Sequence, residues 1–533
     1  MHPHDAQVSV VVIGYDDATH VTDAVRSALD QGGIVREVIA VDDCSTDGSP
    51  ELLEALAAQD TRVKVVRRTA NSGGCGTPRN DGIDAASAPY LMFLDSDDVL
   101  PPGAVDALLM AAVAHGTPLA SGLCVRRELP SGRETPWRPE LYERPALVSR
   151  PSRRPRLVHD TLCVNKLYRT DFLREHGIRF PEGRFPYEDF VFTARVLAAG
   201  PSIALVPDTV YVWHVRRSAR RLSISLDRAD SGNWKARMEA SRQAYEILLG
   251  AGEKRLARAA RAAFLDRGLR MYARELPLRD AEYQAEWWKL TRAYLADFEA
   301  ADLAQASVPG RVVAQVVLAA EQPRDLHRLK ELAARPARLT PPYARTEDGT
   351  PVWSADLPQV RLEHLLHRPM GHLPVAVDAE LRPRARATRL RLRLHELYGR
   401  VENARPHRVD VEFVRREDDT RVGLTTTAAL RPDADRGGWT AETPVDLAAL
   451  GAGTWDLRLT LRFDDGTSRE TTAHALDGPG LLGRRAVPSV RHGVLLVQPY
   501  ATHSGALALR VASGLRGVTT VVGRRLRRLV HWT

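Results

Sequence analysis

Cysteine is scarce in this chain of 533 residues, which contains four cysteines and no CxxC pair. The four are widely spaced, at Cys44, Cys75, Cys124 and Cys163, which predicts reduced thiols and excludes a disulfide framework or a cysteine-rich zinc site. Long apolar runs are also missing, since none approaches the roughly 18 residues that a membrane-spanning helix needs. The short polar segment before Val8 leads straight into a strand pattern and does not resemble a secretory leader, so we expect a cytoplasmic protein.

Several nucleotide-binding and nucleic-acid-binding signatures are absent as well. The first strand is not followed by GxGxxG and no GK[ST] occurs, which excludes a dinucleotide fingerprint and a Walker loop. Zinc-finger spacing, RNP-like aromatics and helix-turn-helix patterns are missing, so we expect no nucleic-acid partner. The chain is nevertheless basic, with a net charge of +8 and a pI near 9.4. That balance favours a phosphate-rich polymer or an anionic lipid surface, and arginines spread over solvated faces explain it equally well.

The length predicts two to four domains, and the first hundred residues alternate strand and helix patterns. The predicted strands are Val8 to Ile13, Glu37 to Val41, Val63 to Val66 and Tyr90 to Leu94. Helical spacing separates them, and Ser49-Pro50 predicts a helix that begins with a cap residue and a proline at its first position. This βαβαβαβ order predicts a mostly parallel, Rossmann-like α/β sheet that binds ligands beyond the carboxyl ends of its strands.

The remainder of the chain changes pattern twice. Residues 233–334 are helical in character, and the proline-interrupted stretch 335–351 is typical of a linker. Beyond it, Leu390, Leu392 and Leu394 alternate with arginines, which predicts an antiparallel, immunoglobulin-like β-sandwich. We expect an α/β domain over 1–230, a helical connector over 231–345, a sandwich over 352–478 and a terminal segment over 479–533. The terminal segment ends in a basic amphipathic stretch that predicts membrane or partner contact, or else packing against the sandwich.

The densest chemical signal is an apolar strand that runs into the carboxylates Asp95, Asp97 and Asp98. Crowded carboxylates repel each other unless a cation or hydrogen-bond donors compensate, and a hard divalent ion meets that need. A solvated acidic turn is the plainer interpretation. However, Asp43 ends a second strand at the same predicted edge, and the glycine-rich stretch before Arg79 allows backbone approach to a phosphate.

These motifs, taken in order, resemble glycosyltransferase family 2, which has the GT-A fold. The similar stretches are VSVVVIGYD, VDDCSTDGS, NSGGCGTPRNDGID and YLMFLDSDDVLPP. The resemblance continues through NKLYRTDFLREHGIRFPEG, FPYEDFVFTARVL and VPDTVYVWHVRRSARRLSIS. It spans about residues 7–226, and it implies an inverting transferase that uses a nucleotide-diphosphate sugar, most simply a UDP-sugar.

The resemblance also implies roles on the donor side. Tyr15 would stack on the nucleotide base, Asp43 would bond its edge, and Arg79 would help line the nucleotide pocket. Asp95 would contact the ribose or sugar, and Asp97 would ligate Mg²⁺ or Mn²⁺ on the diphosphate.

For the acceptor side, the resemblance makes Asp189 the general base, with Glu188 beside it facing an arginine or the acceptor. Asp98 is a weaker candidate for the metal region. A further group matches the segment that closes over the diphosphate: Trp213, His214 and Arg216.

The chain departs from the family pattern at Gly14 and Asp16, where Pro and Asn are frequent; we expect Gly14 to loosen the turn and Asp16 to add a charge near the nucleotide. No QxxRW motif occurs, which disfavours a processive polysaccharide synthase. The region following the first strand also lacks the glycine-rich basic signature of a sugar nucleotidyltransferase.

The overall order of domains resembles wall teichoic acid glycosyltransferases, whose immunoglobulin-like domains support oligomers. This implies an anionic glycopolymer or lipid-linked acceptor, peripheral contact at the inner membrane face and a homo-oligomer formed through the C-terminal domain. Capsule, exopolysaccharide and glycolipid acceptors stay open. So does a catalytically weak, transferase-like protein that serves in binding or assembly.

Overall fold

The computed structural model divides into two compact units. Unit 1 comprises Met1–Leu265 with Asp297–Ala306, and unit 2 comprises Asp266–Ala296 with Ser307–Thr533. The structure describes residues 7–216, 228–382, 388–416, 418–435, 437–476, 481, 483–489 and 493–513. The predicted basic amphipathic end, around Val518 to Val530, lies outside the described residues. No helix within these ranges combines the length and apolar character that crossing a membrane requires.

The helices of the described chain are as follows: α1 (Val21–Leu29), α2 (Ser49–Gln59), α3 (Gly76–Ala85), α4 (Ala104–His115), α5 (Thr170–Glu175), α6 (Glu188–Ala198), α7 (Gly232–Gly250), α8 (Lys254–Ala263), α9 (Arg270–Glu275), α10 (Ala281–Leu295), α11 (Ala300–Gln305), α12 (Val308–Ala319), α13 (Leu326–Ala333) and α14 (Arg400–Ala404). A π-helical turn, Phe264–Leu269, joins α8 to α9.

In the described part of unit 1, nine strands form one sheet in the order β3-β2-β1-β4-β8-β5-β9-β7, with β6 paired to β5. The strands are β1 (Val8–Gly14), β2 (Val35–Asp42), β3 (Val63–Arg67), β4 (Tyr90–Asp95), β5 (Leu119–Glu128), β6 (Arg133–Trp137), β7 (Ala146–Val148), β8 (Lys166–Arg169) and β9 (Ile203–Val215). Strands β1 to β4, β5 and β9 run in one direction. The predicted βαβαβαβ order and mostly parallel sheet are therefore confirmed.

The strands of unit 1 are buried because helices cover the sheet. In β1 the residues from Val8 to Ile13 are all buried, as are Leu91 to Leu94 in β4, which is the unbroken apolar pattern of a covered parallel strand. The start of α2 differs by one residue from the prediction. Gly48 is its cap residue and Ser49 is already helical, because the Ser49 hydroxyl accepts a hydrogen bond from the Asp17 amide at 3.0 Å instead of capping the helix.

Unit 2 contains antiparallel sheets, as the period-two pattern predicts. Its strands are β10 (Ala344–Arg345), β11 (Pro351–Val352), β12 (Val377–Arg382), β13 (Arg389–Leu394), β14 (Pro406–Arg415), β15 (Asp418–Ala429), β16 (Arg431–Pro432), β17 (Trp439–Pro444), β18 (Gly453–Phe463), β19 (Ser468–Thr471), β20 (His474–Ala475), β21 (Arg485–Ser489), β22 (Gly493–Ala501) and β23 (Leu507–Ser513). One sheet runs β16-β17-β13-β12-β20, and a second runs β15-β14-β18-β23-β22-β21 with β19 beside β18. The short pairing of β12 with β20 is parallel.

The alternating leucines of β13 and the alternating apolar residues of β18 are buried, and their intervening residues are not. The turn after β18 contains Asp465, whose carboxylate accepts the Thr467 amide at 2.8 Å, and Gly466 at φ +79°. The sequence pattern left the region beyond 478 ambiguous. There β21 to β23 continue the second sheet, since β23 pairs with β18.

The close approach of α3 to β1 generates a stability prediction. A Cβ at Gly82 of α3 would lie 2.1 Å from Val11 Cγ1, and Val11 is fully buried and stiff at χ1. Gly82→Ala should therefore lower the free energy of unfolding by about 1–3 kcal/mol through overpacking. The matched control is Gly250→Ala at the end of α7, where nothing lies within 4 Å. Urea unfolding of both variants checks this, and an unchanged midpoint for Gly82→Ala would contradict the packing described.

Candidate functional site

The carboxyl ends of three parallel strands meet at one edge of the unit 1 sheet. In register, Gly14 of β1 pairs with Asp42 of β2, and Ile13 pairs with Asp95 of β4. The Asp43 amide donates to the Gly14 carbonyl at 3.0 Å. Tyr15, Asp43 and Asp95 are thus brought together, as expected where such strands end.

A buried arginine joins this edge to helix α6. Arg79, on the first turn of α3, is 2% exposed. Its Nη2 lies 2.7 Å from Asp95 Oδ1, and its Nη1 lies 2.5 Å from Glu188 Oε1 and 3.2 Å from Asp189 Oδ1. We call these four residues the Arg79 cluster. One guanidinium therefore holds three carboxylates from β4 and from the first turn of α6.

The Arg79 cluster contains more negative than positive charge, and its pKa values reflect that imbalance. Burial and the neighbouring Asp189 raise the pKa of Glu188 to about 7. Burial also raises the pKa of Asp189, although Arg79 opposes the shift. An acidic group with a raised pKa takes up a proton more readily than an ordinary carboxylate, which suits a general base.

The glycine-rich stretch before Arg79 packs against the chain instead of opening toward a ligand. A Cβ at Gly76 would lie 2.0 Å from the Pro181 carbonyl oxygen, and one at Gly74 would lie 2.6 Å from that of Gly183. The Asn80 side chain also exchanges hydrogen bonds with the Phe180 backbone, at 2.9 and 3.0 Å. These glycines let the loop before α6 approach α3, which is how Arg79 reaches Glu188 and Asp189.

Asp43 is buried and its carboxylate is well supplied with donors. It accepts the Ser72 hydroxyl at 2.8 Å, the Ser72 amide at 3.1 Å and the Asn71 side-chain amide at 3.1 Å. Arg68 Nε lies 2.9 Å from its other side. Asp43 is therefore fixed in orientation beside Tyr15, which is 37% exposed.

The three carboxylates at the end of β4 and directly after it have different partners. Asp95 belongs to the Arg79 cluster. Asp98 is buried and accepts the Tyr211 hydroxyl and the His214 amide, both at 2.7 Å. Asp97 is the open one, with its side chain 46% exposed. Burial and the charge of Asp95 raise its pKa to about 6, against the opposing effect of Arg216.

The end of β9 closes on Asp97. The His214 ring Nδ1 lies 3.1 Å from the Asp97 carbonyl oxygen, and Arg216 Nη1 lies 2.9 Å from that oxygen and 3.1 Å from Asp97 Oδ2. Trp213 differs from these two. It packs against Trp137, with ring centroids 5.9 Å apart, and under the guanidinium of Arg126 at 4.8 Å.

The fit of this edge to a divalent metal depends on Asp97. Among the residues that the structure describes, no cluster of three or more His, Cys, Asp or Glu side chains is arranged to hold a metal ion. Asp95 and Asp98 are engaged by protein donors, and Asp97, whose Oδ2 also contacts Arg216, is the most exposed carboxylate of the three. That donor set fits Mg²⁺ or Mn²⁺ only when ligand oxygens complete the shell, as phosphates commonly do.

Several residues of this site escaped sequence analysis. Tyr211 joins Asp98 to the Asp95 amide, at 2.7 and 3.2 Å. The thiol of Cys163 opposes the upward shift of the Asp189 pKa. No alternation marks Tyr211, because Val210 and Val212 beside it in β9 are buried as well. Nothing in the local sequence marks Cys163, since its neighbour is distant along the chain.

The two departures from the family pattern have structural roles. A Cβ at Gly14 would lie 3.1 Å from the Ser96 Cβ, so glycine allows the end of β1 to pass close to the end of β4. The Asp16 carboxylate accepts the Thr46 amide at 2.7 Å, and the Asp16 amide donates to the Ser45 hydroxyl at 2.9 Å. The added charge is thus bonded to the loop that follows β2.

Residues 9–177 match the sequence profile described as Glycosyl transferase family 2. The match includes β1 to β4, Arg79 and the carboxylates after β4, and it ends before α6. This chain carries a family 2 glycosyltransferase domain. The resemblance to glycosyltransferase family 2 that the sequence motifs indicated is confirmed.

Two curated relatives cover parts of the chain. The succinoglycan biosynthesis protein ExoO of Rhizobium meliloti (strain 1021) is 31% identical over 233 residues, 42% of this chain and 65% of that protein. The poly(ribitol-phosphate) beta-N-acetylglucosaminyltransferase TarS of Staphylococcus aureus (strain MW2) is 29% identical over 217 residues, 40% of this chain and 36% of that protein. The chain thus matches less than two thirds of either relative's length.

Solved structures extend the likeness in fold. The crystal structure of S. aureus TarS aligns with a TM-score of 0.55 and 19% identity, covering 95% of this chain and 85% of that one. A TarS structure in complex with UDP-GlcNAc aligns with a TM-score of 0.52 and 22% identity, covering 65% and 96%. At these identities the likeness concerns the fold, and it supports the GT-A-like sheet, the helices and the C-terminal antiparallel sheets.

Removal of the Arg79 charge tests the cluster. Arg79→Gln should lower the free energy of unfolding by about 3–5 kcal/mol at neutral pH, because it leaves buried carboxylates without their cation. The loss should shrink at mildly acidic pH, where protonation neutralises Glu188 first.

The control is Arg127→Gln, which breaks the exposed ion pair with Glu134 in the same unit and should cost at most about 1 kcal/mol. Urea unfolding at both pH values measures these effects. Equal losses for the two variants would mean that Arg79 is not the link between β4 and α6.

Proposed function

We propose that this chain transfers a sugar from a UDP-sugar to a hydroxyl group of an anionic, phosphate-rich glycopolymer, with inversion at the anomeric carbon. The observation that carries the proposal is the Arg79 cluster, which places Asp95 and Asp189 around one guanidinium at the ligand-binding edge of the sheet. The family 2 domain and the fold shared with a UDP-GlcNAc complex of TarS support a UDP-sugar donor.

The donor is bound by the residues at the ends of β1, β2 and β4. Tyr15 stacks on the base, and Asp43, oriented by Ser72 and Asn71, accepts a hydrogen bond from its edge. Asp95 accepts from the ribose or sugar while Arg79 fixes its direction.

The acceptor is activated by Asp189. Its carboxylate takes the proton from the acceptor hydroxyl as the oxygen forms a bond to the anomeric carbon and the bond to the diphosphate oxygen breaks. Burial raises the pKa of Asp189, and Arg79 and the thiol of Cys163 oppose that shift. These two neighbours favour the ionised form of the base, and Glu188 completes the Arg79 cluster on the acceptor side.

The leaving diphosphate is met by the residues at the end of β9. Arg216 lies against Asp97, and its remaining N–H donors stabilise the charge that develops on the leaving oxygens. The His214 ring donates from Nδ1 to the Asp97 carbonyl and so helps to position Asp97. Asp97 is the residue that would hold Mg²⁺ or Mn²⁺. When bound, such an ion neutralises diphosphate charge as a Lewis acid.

Two observations support the proposed acceptor class. Relatives named for poly(ribitol-phosphate) glycosyl transfer match the chain, and the net charge of +8 favours a polyanion. ExoO acts in succinoglycan biosynthesis by its name, so a panel of acceptors should include an exopolysaccharide without phosphate. With a UDP-sugar donor and a lipid-linked polymer as acceptor, we propose that the reaction takes place in the cytoplasm at the inner membrane face. We also propose that unit 2 forms the contacts of a homo-oligomer.

Replacement of the general base separates chemistry from binding. Asp189→Asn should lower the transfer rate about 10²- to 10⁴-fold, because an amide cannot accept the acceptor proton, and should leave UDP binding unchanged. Transfer is measured with purified full-length chain and a panel of UDP-sugars, and UDP binding by calorimetry.

Asp208→Asn is the matched control, since Asp208 is exposed on β9, and it should behave as wild type. Near-normal transfer by Asp189→Asn would remove Asp189 from this role. Wild-type protein that neither transfers nor hydrolyses any UDP-sugar would instead favour a binding or assembly protein.

Measurements of UDP binding, rather than of the transfer rate, test whether Asp97 holds a metal ion. In wild-type protein Mn²⁺ should tighten UDP binding, and Asp97→Asn should weaken that metal-dependent gain by at least the roughly 10- to 100-fold seen when groups supporting a metal site are changed. Titration of UDP with and without Mn²⁺ measures the gain, again with Asp208→Asn alongside. If Mn²⁺ leaves UDP affinity of the wild-type chain unchanged, Asp97 does not serve a metal.

A further inference from the structure

Unit 2 contains a cavity of about 230 Å³ that is lined by four arginines. Arg270 comes from α9, Arg335 follows α13, Arg368 lies in the segment before β12, and Arg469 belongs to β19. The start of α12, at Ser307, also faces the cavity. The volume is smaller than the roughly 300–1,000 Å³ of sites that enclose drug-sized ligands, which suits a small, highly charged group.

The arginines are anchored by main-chain carbonyls rather than by acids. Arg270 Nη2 donates to the Ala334 carbonyl at 2.7 Å, Arg368 Nε donates to that of His372 at 2.6 Å, and Arg469 Nη1 donates to that of Gly371 at 2.7 Å. Within the described residues, no ion pair to a carboxylate is found for these three or for Arg335. Each anchor uses only part of a guanidinium, which carries five N–H donors.

Two buried donors remain unused at this cavity. Arg270 Nε and Arg469 Nε have no hydrogen-bond partner and no access to solvent in the described structure. A buried polar group without a partner is unfavourable, and a charged one more so. The protein around the cavity therefore leaves part of the hydrogen-bonding capacity of Arg270 and Arg469 unsatisfied.

Like charges also crowd the cavity. Burial and the nearby Arg335 lower the pKa of Arg270 to about 10. Burial lowers the pKa of Arg368 as well, and burial together with Arg368 lowers that of Arg469. Each shift shows that the protonated guanidinium is destabilised where it lies.

The acidic groups nearby do not balance this charge. The Asp266 carboxylate faces Arg270 and Arg311, but it accepts the Ser307 hydroxyl at 2.5 Å and the Ser307 amide at 2.9 Å. Glu470 attracts Arg469 from the neighbouring position in β19. Burial and the positive charge of Arg368 lower the pKa of Arg311. The cavity is therefore strongly cationic, with an anion as its natural complement.

We propose that this cavity, lined by Arg270, Arg335, Arg368 and Arg469, is a phosphate-binding site that holds a phosphate group of the glycopolymer acceptor. A guanidinium group can donate two parallel hydrogen bonds to the oxygens of one phosphate. Four guanidinium groups around a small cavity provide more donors than a single carboxylate can accept, which favours phosphate. The polymer's identity rests on the proposed function. The phosphate chemistry rests on the cavity alone.

Binding experiments on the full-length chain, without donor, test the site. The probes are inorganic phosphate, a poly(ribitol phosphate) oligomer and polygalacturonate, which carries carboxylates only. Wild-type protein should bind the oligomer, with inorganic phosphate as a competitor. Arg335→Gln with Arg469→Gln should weaken oligomer binding at least about tenfold, because charge-assisted hydrogen bonds are lost.

The matched control is Arg389→Gln with Arg391→Gln, which removes two exposed arginines of β13 that pair with Glu442 in the same unit. It should bind as wild type. Arg335→Lys with Arg469→Lys keeps both charges and should recover part of the affinity, which separates loss of charge from loss of fold. Equal affinity of the Gln pair and wild type would overturn the proposal, as would equal binding of polygalacturonate.

The outcome for this site is distinguishable from that for the proposed function. Hydrolysis of a UDP-sugar by the Gln pair at the wild-type rate shows that unit 1 is intact. If the wild-type chain hydrolyses a UDP-sugar but binds neither phosphate nor the oligomer, the proposed phosphate site is wrong and the proposed function is unaffected. If inorganic phosphate binds at the arginines and the oligomer does not, the site takes a free phosphate, and its assignment to the polymer is wrong.

Discussion

The ion pairs of Arg79 are the interaction on which the unit 1 site depends. A single guanidinium reaches Asp95 at the end of β4 and Glu188 and Asp189 at the start of α6. Buried ion pairs pay a large desolvation penalty, and removal of one partner is more damaging than the net value of the pair. Lysine could not replace it, because a compact ammonium lacks the planar fork that reaches two sides at once. The position of the base relative to the donor edge thus follows from the geometry of one side chain.

The acidic run after β4 shows how one sequence signal can divide into several structural roles. Asp95 joins the Arg79 cluster, Asp98 ties β4 to Tyr211 of β9, and Asp97 alone keeps an open carboxylate. Repulsion among the three is reduced because the chain turns each toward different donors. An acidic run at a strand end therefore indicates a site, but the count of carboxylates does not give the count of ligands.

Local pattern was enough to predict the fold, because burial on a sheet or helix imposes a period that neighbours in sequence share. The β1 to β4 runs and the alternating leucines of β13 are of this kind. The pairing of Arg79 with Glu188 could be expected only through family resemblance, since it joins positions 109 residues apart. Local pattern was also insufficient for Gly76. The absence of a side chain at Gly76 makes room for the Pro181 carbonyl. In sequence, a glycine-rich loop that packs against protein cannot be distinguished from one that binds a phosphate.

Part of the positive charge of the chain is concentrated at one place in the structure, the unit 2 cavity. Charge spread over solvated faces is screened beyond about 10 Å at ordinary ionic strength and serves mainly to steer encounter. Three arginines of the unit 2 cavity differ, because burial lowers the pKa values of Arg270, Arg368 and Arg469. Donors such as Arg270 Nε are also left without acceptors. Folding has to overcome that cost, so a cationic cavity of this kind indicates selection for an anion rather than for stability. An acceptor that repeats a phosphate along its length would meet the cavity at many positions, and its binding would depend on salt far more steeply than the binding of the UDP-sugar in unit 1.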